Sequence, residues 1–353
     1  MKKTMLGFAA CALILSSCSQ NEELIDNTKL NQEEINFAPY VNKTKASVTN
    51  LDAMQKEAYP GFKVFAVQHA ATEQTDYSKL PKFMDNLNVK FSNSLWAHSG
   101  KYYWPETDAL SFFAIAPDNK KVGTISQRDK IIVPIEIEED VINQIDILAA
   151  SALNKTAQNN TTGQVDFQFE HILSRIGIKA RLKEGENLKF KLNEIKYAYG
   201  NVAKSGYFEY ANGTFVDAQP TMHSTPQGLI LKLTSDGREN IIESTQPKYI
   251  HDLDSYFMII PQDLSNSSFI TLTINYQIAV AGDVWGKDRT VSVTIPGMNY
   301  VMGSAYTHNL IFSGDTTGEG DLLEVKFGVT DVQSWGLEVP DQGTEVPNSK
   351  PSN

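Results

Sequence analysis

From about residue 46 to residue 340 the chain runs as short stretches of alternating apolar and polar side chains, broken by Gly, Pro, Asn, Asp and Ser. A period of two puts every second side chain on one face, so this pattern predicts strands with one buried face. In the first half it places strands near 62–67, 102–104, 110–116, 130–137, 146–150 and 164–170. In the second half they fall near 176–182, 188–197, 206–210, 229–233, 256–260, 269–278, 290–295, 307–312 and 322–327. Helical spacing is nearly absent, and 52–58 and 139–144 could each form two turns at most.

About 300 residues of strand and turn exceed what one β-sandwich usually holds, so the pattern predicts two sandwiches in series. They are expected at 46–172 and 173–340, with the boundary just after Phe167-Gln168-Phe169. No repeat of solenoid period interrupts the plan. Ahead of the first sandwich, Ile35-Asn36-Phe37-Ala38-Pro39-Tyr40 alternates like a strand and is followed by the basic, loop-like Asn42-Lys43-Thr44-Lys45-Ala46-Ser47. Residues 341–353 are polar and Pro-rich and are expected to form a disordered tail.

The first twenty residues break the pattern. Lys2 and Lys3 precede an apolar run from Met5 to Leu15, and Leu15-Ser16-Ser17-Cys18 has the form of a lipid-attachment box. The run is too short to span a bilayer. Residues 1–17 therefore read as a lipoprotein signal, and Cys18 as the lipidated first residue of the mature chain. At about 0.8 kcal/mol per buried methylene, two or three acyl chains hold a folded protein on a membrane without a spanning helix. Residues 18–45 open with a polar, acidic stretch expected to be a flexible tether leading into the strand-like alternation at Ile35.

Charge and candidate chemistry narrow the functions further. The formal net charge is -11, and -13 once Lys2 and Lys3 are removed, which argues against nucleic acid and anionic lipid as partners. Cys11 leaves with the signal and Cys18 is consumed by lipid, so the folded part has no disulfide, thiol nucleophile or cysteine metal ligand. The six histidines show no metal-ligand spacing, and there is no G-x-S-x-G elbow or phosphate-binding glycine loop. The reading is of a protein that is not an enzyme and has no cofactor or metal.

Trp96, Tyr102, Tyr103 and Trp104 crowd the segment LWAHSGKYYWP, which reads as a hairpin turning at His98-Ser99-Gly100-Lys101. Exposed rings would make Trp96, Tyr103 and Trp104 a platform for stacking sugars. The favoured alternative sends Trp96, Tyr102 and Trp104 into the core. His171, inside an apolar run, reads as a buried neutral imidazole.

Taken together, the lipobox, INFAPYVNKTKAS, YPGFKVFAV, YYWPETDALSFFAIAP, QIDILAA, VDFQFEHILSRIGIKARL, YFMIIPQ, YVMGSAYTHNLIFSG and VTDVQSWG resemble the fimbrillin, or Mfa-like, family of Gram-negative anaerobes. The resemblance runs from the signal to about Trp335. It implies an all-β chain of two tandem transthyretin-like, Greek-key sandwiches. It also implies a pilus subunit made as a lipoprotein, carried to the outer membrane, cut ahead of its first domain and polymerised by strand exchange.

By that resemblance Lys45 and Ala46 flank the cut bond, and Ile35 and Phe37 belong to the released strand. The family site is usually arginine, and lysine fits a pocket shaped for guanidinium poorly. An uncleaved, lipid-tethered anchor subunit is therefore a second expectation, beside stalk and tip.

The physics of exchange is general. Removing an edge strand leaves unpaired backbone groups beside an apolar groove, which a neighbour's extended strand can fill. Because each contact is head-to-tail, it grows a filament of fimbrial subunits. The expected partners are such subunits, the outer membrane through the lipid, and a host or glycan receptor. The rival from another class is a surface glycan-binding lipoprotein of a nutrient-uptake system, using the aromatic segment.

Overall fold

A computed structural model describes residues 33–41, 51–56, 59–72, 76–119, 122–127, 130–160, 163–197, 202–211, 214–221, 228–233, 240–251, 256–265, 270–279, 284–313 and 324–334. The fold is all-β. Its helical content among these residues is one α-turn, Leu51–Met54, and one 3-10 turn, Val141–Asn143, each shorter than the two turns expected.

The largest sheet has seven strands, in the spatial order Asn36–Val41, Gln164–His171, Leu148–Lys155, Asp108–Ala116, Phe62–Ala70, Lys82–Ser92 and Leu95–His98. The first pair is parallel, with Phe37 beside Val165 and Pro39 beside Phe167, and the rest of the sheet is antiparallel. Both faces of the central strands are apolar, which explains the nearly unbroken burial of Phe62–Ala70 and Asp108–Ala116. Phe62, Val64, Phe112, Ala114, Phe167 and Phe169 point into one core. On the opposite face, Phe65, Val67, Phe113 and Ile115 belong to a second.

That opposite face packs on a four-stranded sheet, Thr214–Thr221, Ser205–Ala211, Ile131–Glu136 and Ser126–Gln127. Tyr210 of this sheet meets Phe113 edge-on at 4.6 Å. The hairpin 205–221 follows residue 172 in sequence, yet it pairs with Ile131–Glu136, with Phe208 opposite Val133.

The remainder is two larger sheets and a two-stranded one, Gln262–Asp263 with Asn299–Tyr300. One is ordered Lys248–Tyr249, Ser174–Leu182, Ser304–Ser313 and Glu324–Ser334, with Phe257–Ile259 also on Ser174–Leu182. The other runs Leu229–Lys232, Lys189–Tyr197, Ile270–Ala279 and Arg289–Ile295, with Ile241–Ile242 also on Lys189–Tyr197. Strict alternation in ITLTINYQIA sends Ile270, Leu272, Ile274 and Tyr276 inward. Phe190 meets Phe312 at 5.4 Å across the gap between the sheets.

Two local expectations are corrected. Leu95–His98 does not pair with a strand at 102–104; it pairs back onto Lys82–Ser92. The turn is Asn93-Ser94, with φ of 51° and 63°, the left-handed pair that a tight hairpin needs. Within 102–104 only Tyr103 forms a bridge, and its partner is Glu34.

Candidate functional site

The chemistry-poor sequence directs attention to the start of the described chain. In the leading strand, Asn36–Val41, and the residues just before it, the period of two turns Ile35, Phe37 and Pro39 inward and leaves Asn36 and Tyr40 exposed. Ile35 is 0% and Phe37 2% exposed. Phe37 lies nearly parallel to Phe167, with ring centroids 5.6 Å apart. It meets Phe112 at 6.1 Å and Phe62 at 6.4 Å, both edge-on. Offset and edge-on ring pairs each add about 0.5–1.5 kcal/mol beyond burial.

Just ahead of the leading strand, the backbone bonds the segment that follows Leu95–His98. Ile35 N donates to the Tyr102 carbonyl at 2.8 Å, and Trp104 N to the Glu33 carbonyl at 3.2 Å. One flank of the strand carries the parallel ladder to Gln164–His171. The strand therefore forms a seam between the two ends of the sheet, laddered to one and touching the other through residues 33–35 and His98, while 36–41 keep a free edge. Pro39, which has no N–H to give, sits where an edge strand tolerates it.

Around this seam lie the other residues singled out by the sequence. Trp104 is 2% exposed and edge-on to Phe112 at 5.9 Å. Trp96 is half-buried against Phe62 at 5.1 Å and Phe91 at 5.2 Å. Tyr103 is 39% exposed. The three rings thus divide between core, flank and surface and share no solvent-facing plane. Cys18, Lys45, Ala46 and the tail 341–353 lie outside the described residues.

The structure also shows polar contacts that the sequence does not reveal; of the residues that make them, the sequence points to His171 alone as a buried ring. His98 Nε2 lies 3.1 Å from the Ile35 carbonyl oxygen, and the ring meets Phe37 at 5.5 Å. The spacing of Trp96 and His98 on one strand face was the available signal for it. His171 Nδ1 contacts buried Asp146 at 2.9 Å and 3.1 Å to its two carboxylate oxygens. Burial, then the negative charge of Asp146, raise the Tyr59 phenol above its usual range.

In the second half, Tyr197 Oη bonds Tyr300 Oη and lies 2.9 Å from His308 Nε2. Burial pushes His308 down to about 3 and raises both phenols. Among the described residues no three His, Cys, Asp or Glu side chains gather as metal ligands. No helix among them is long and apolar enough to cross a membrane.

The site is thus a sheet whose leading strand packs into an aromatic core. A solved fimbrial protein from Bacteroides vulgatus shares the fold at a TM-score of 0.60 and 18% identity, over 86% of this chain and 99% of that one. A candidate cell adhesion protein from Bacteroides ovatus superposes at 0.47 and 15% identity, over 87% and 99%. Another from Bacteroides uniformis gives 0.44 and 15%, over 86% and 98%. The fimbrillin-like family model matches residues 44–331, and the chain belongs to that family. Family membership supports a fimbrial structural subunit at the cell surface that assembles with other fimbrial subunits. No curated protein matches the chain.

Proposed function

We propose that this chain is a stalk or tip subunit of a cell-surface fimbria, made as a lipoprotein precursor through Cys18 and assembled by protease-triggered strand exchange that supports adhesion. One observation carries the reading. The strand that seals the first core ends at Val41, and residues 42–44 alone separate it from Lys45. A cut after Lys45 would leave the leading strand joined to the tether and Cys18 but to the rest of the chain by no covalent bond. Its departure would uncover Phe62, Phe112 and Phe167 and the free backbone edge of Gln164–His171. A neighbouring subunit's strand is the occupant whose chemistry fits both.

The tandem transthyretin-like sandwiches of the family plan, nominally 46–172 and 173–340, are read as the seven- and four-stranded sheets and the sheets that follow them, with the hairpin 205–221 lent across that line and one core running through both. The terminal strand Glu324–Ser334 is held in its own sheet by Ser304–Ser313, which supports a tip position over a donor role. The division of Trp96, Tyr103 and Trp104 between core and surface supports the fimbrial reading over a sugar platform.

The test is to treat the purified precursor with a lysine-specific protease and follow the N-terminus and the size distribution together. Stable oligomers that begin at Ala46 are the expected product for a stalk; clean cleavage to a monomer only would point to a tip or to the glycan-binding rival. Lys45→Ala should block the cut, and oligomers that still form from that variant would refute the mechanism.

A further inference from the structure

We propose that the outer face of the sheet built on Lys189–Tyr197 and Ile270–Ala279 carries a glycan-binding site, with Trp285 as the ring on which a sugar stacks. The strand Ile270–Ala279 sends Ile274, Tyr276 and Ile278 into the core, so Asn275 and Gln277 stand on the opposite face, about 7 Å apart. Gln277 pairs with Lys191 on one side, and Asn275 with Thr290 on the other. A bulge between Leu192 and Glu194 gives Lys189–Tyr197 one extra residue, Asn193, whose side-chain amide donates to Asp288 at 2.9 Å.

The returning chain brings the ring to this face. Trp285 bridges to Ala279, two residues beyond Gln277 and so on the same side of the sheet, and Gly286 N donates to the Ile278 carbonyl at 2.9 Å. The indole is half-buried, with the Lys191 ammonium 5.6 Å from its centroid, a cation–π contact that helps to hold it. Trp96, Tyr103 and Trp104 divide between core and surface, whereas Trp285 has its polar neighbours gathered on one face.

Those neighbours are not used up by the fold. Asn275 Oδ1 is buried and has no hydrogen-bond partner, which is a costly state for an amide oxygen. Among the described residues, neither the Gln277 amide nor the Trp285 indole N–H has a hydrogen-bond partner.

A sugar supplies what this face lacks. Its C–H face packs on an indole, and its hydroxyls, which both donate and accept, match two carboxamides and an indole N–H spread over three strands, about 10 Å. Protein partners fit less well. Both central strands are already laddered on each side, so an extended peptide cannot add to them. The next outward residues, Thr273, Ser292 and Thr294, offer an amphipathic helix no apolar groove.

The site would give the fimbria a surface to adhere with, yet it does not depend on strand exchange. Its test uses the uncut, full-length chain, so either idea can fail alone. The purified protein is passed over immobilised neutral, sialylated and sulfated oligosaccharides. Retention by at least one class is expected, and retention by none overturns the site.

On the retained sugar, Trp285→Ala should weaken binding at least about tenfold and Gln277→Ala about threefold. Thr294→Ala, on the same face but at the far end of Arg289–Ile295, should leave binding unchanged. Binding that survives Trp285→Ala, or that falls as far in Thr294→Ala, overturns the proposal. The wild type decides the matter should the tryptophan variant fail to fold. Its Trp285 indole N–H resonance must shift as the retained sugar is added, and a resonance that stays still overturns the site.

Discussion

The two cores of this chain are closed by different means. At the seam, Phe37 packs among three rings and the backbone of residues 33–35 makes short bonds to Tyr102 and Trp104. In the second half, Tyr197 ties Tyr300 and His308 together, across 103 and 111 residues of sequence. The seam's closing piece precedes every other described strand, so it can leave without severing any of them. Tyr197, Tyr300 and His308 belong to three internal segments, so their network can open only if the sheets around it part. On the assembly proposed above, one core can be resealed by another strand while the other stays shut.

The largest test of that contrast is Phe37→Ala. Deleting a buried phenylalanine costs about 3–5 kcal/mol, and here the loss should fall on docking of the leading strand. Denaturant unfolding should show it, with exchange at residues 36–41 rising more than exchange at Ile270–Ala279. A uniform loss across both regions would break the comparison.

The second core should answer to acid instead. The unfolded chain binds a proton at His308 near the ordinary 6.5, whereas the folded chain resists until about 3. Stability from this site is therefore intact above pH 6.5, falls as the pH drops toward 3, and levels off below. The slope is at most about 1.4 kcal/mol per pH unit. His308→Asn should flatten that part of the profile in urea titrations, and an unchanged profile would remove His308 from the account.

Gly61→Ala sharpens the comparison at the seam from the backbone side. Gly61 has φ +89°, and an added Cβ would sit 2.1 Å from the Val89 carbonyl oxygen. The substitution should cost more than about 1 kcal/mol, measured by thermal unfolding. The smallest effect is expected at Tyr103→Ala, a surface change that should stay within about 0.5 kcal/mol. A larger loss would show that the ring supports the seam.

Much of this was legible because burial of one face writes itself into the sequence with period two. Val165, Phe167 and Phe169 alternate in QVDFQFEH and do point into one core. Lys82–Ser92 was missed because its sequence, KFMDNLNVKFS, scatters polar residues, and Asn86 adopts φ 52° within it. The Leu95–His98 hairpin was misassigned because His98-Ser99-Gly100-Lys101 looks like a turn, whereas Asn93-Ser94 makes the one that pairs strands. Thr214–Thr221 was missed with Pro220 near its end. Contacts such as His98 to Ile35 or Tyr197 to His308 depend on which strands the topology brings together, and no local pattern encodes that.

The loan of 205–221 to Ile131–Glu136 bears on how the polypeptide matures as it emerges. Until residue 221 has been made and exported, one side of Ile131–Glu136 lacks its partner. The early portion must therefore wait, unfinished, for a later portion to arrive. A fragment that stops at residue 172 would carry that bare flank permanently, and self-association is the fate expected of it.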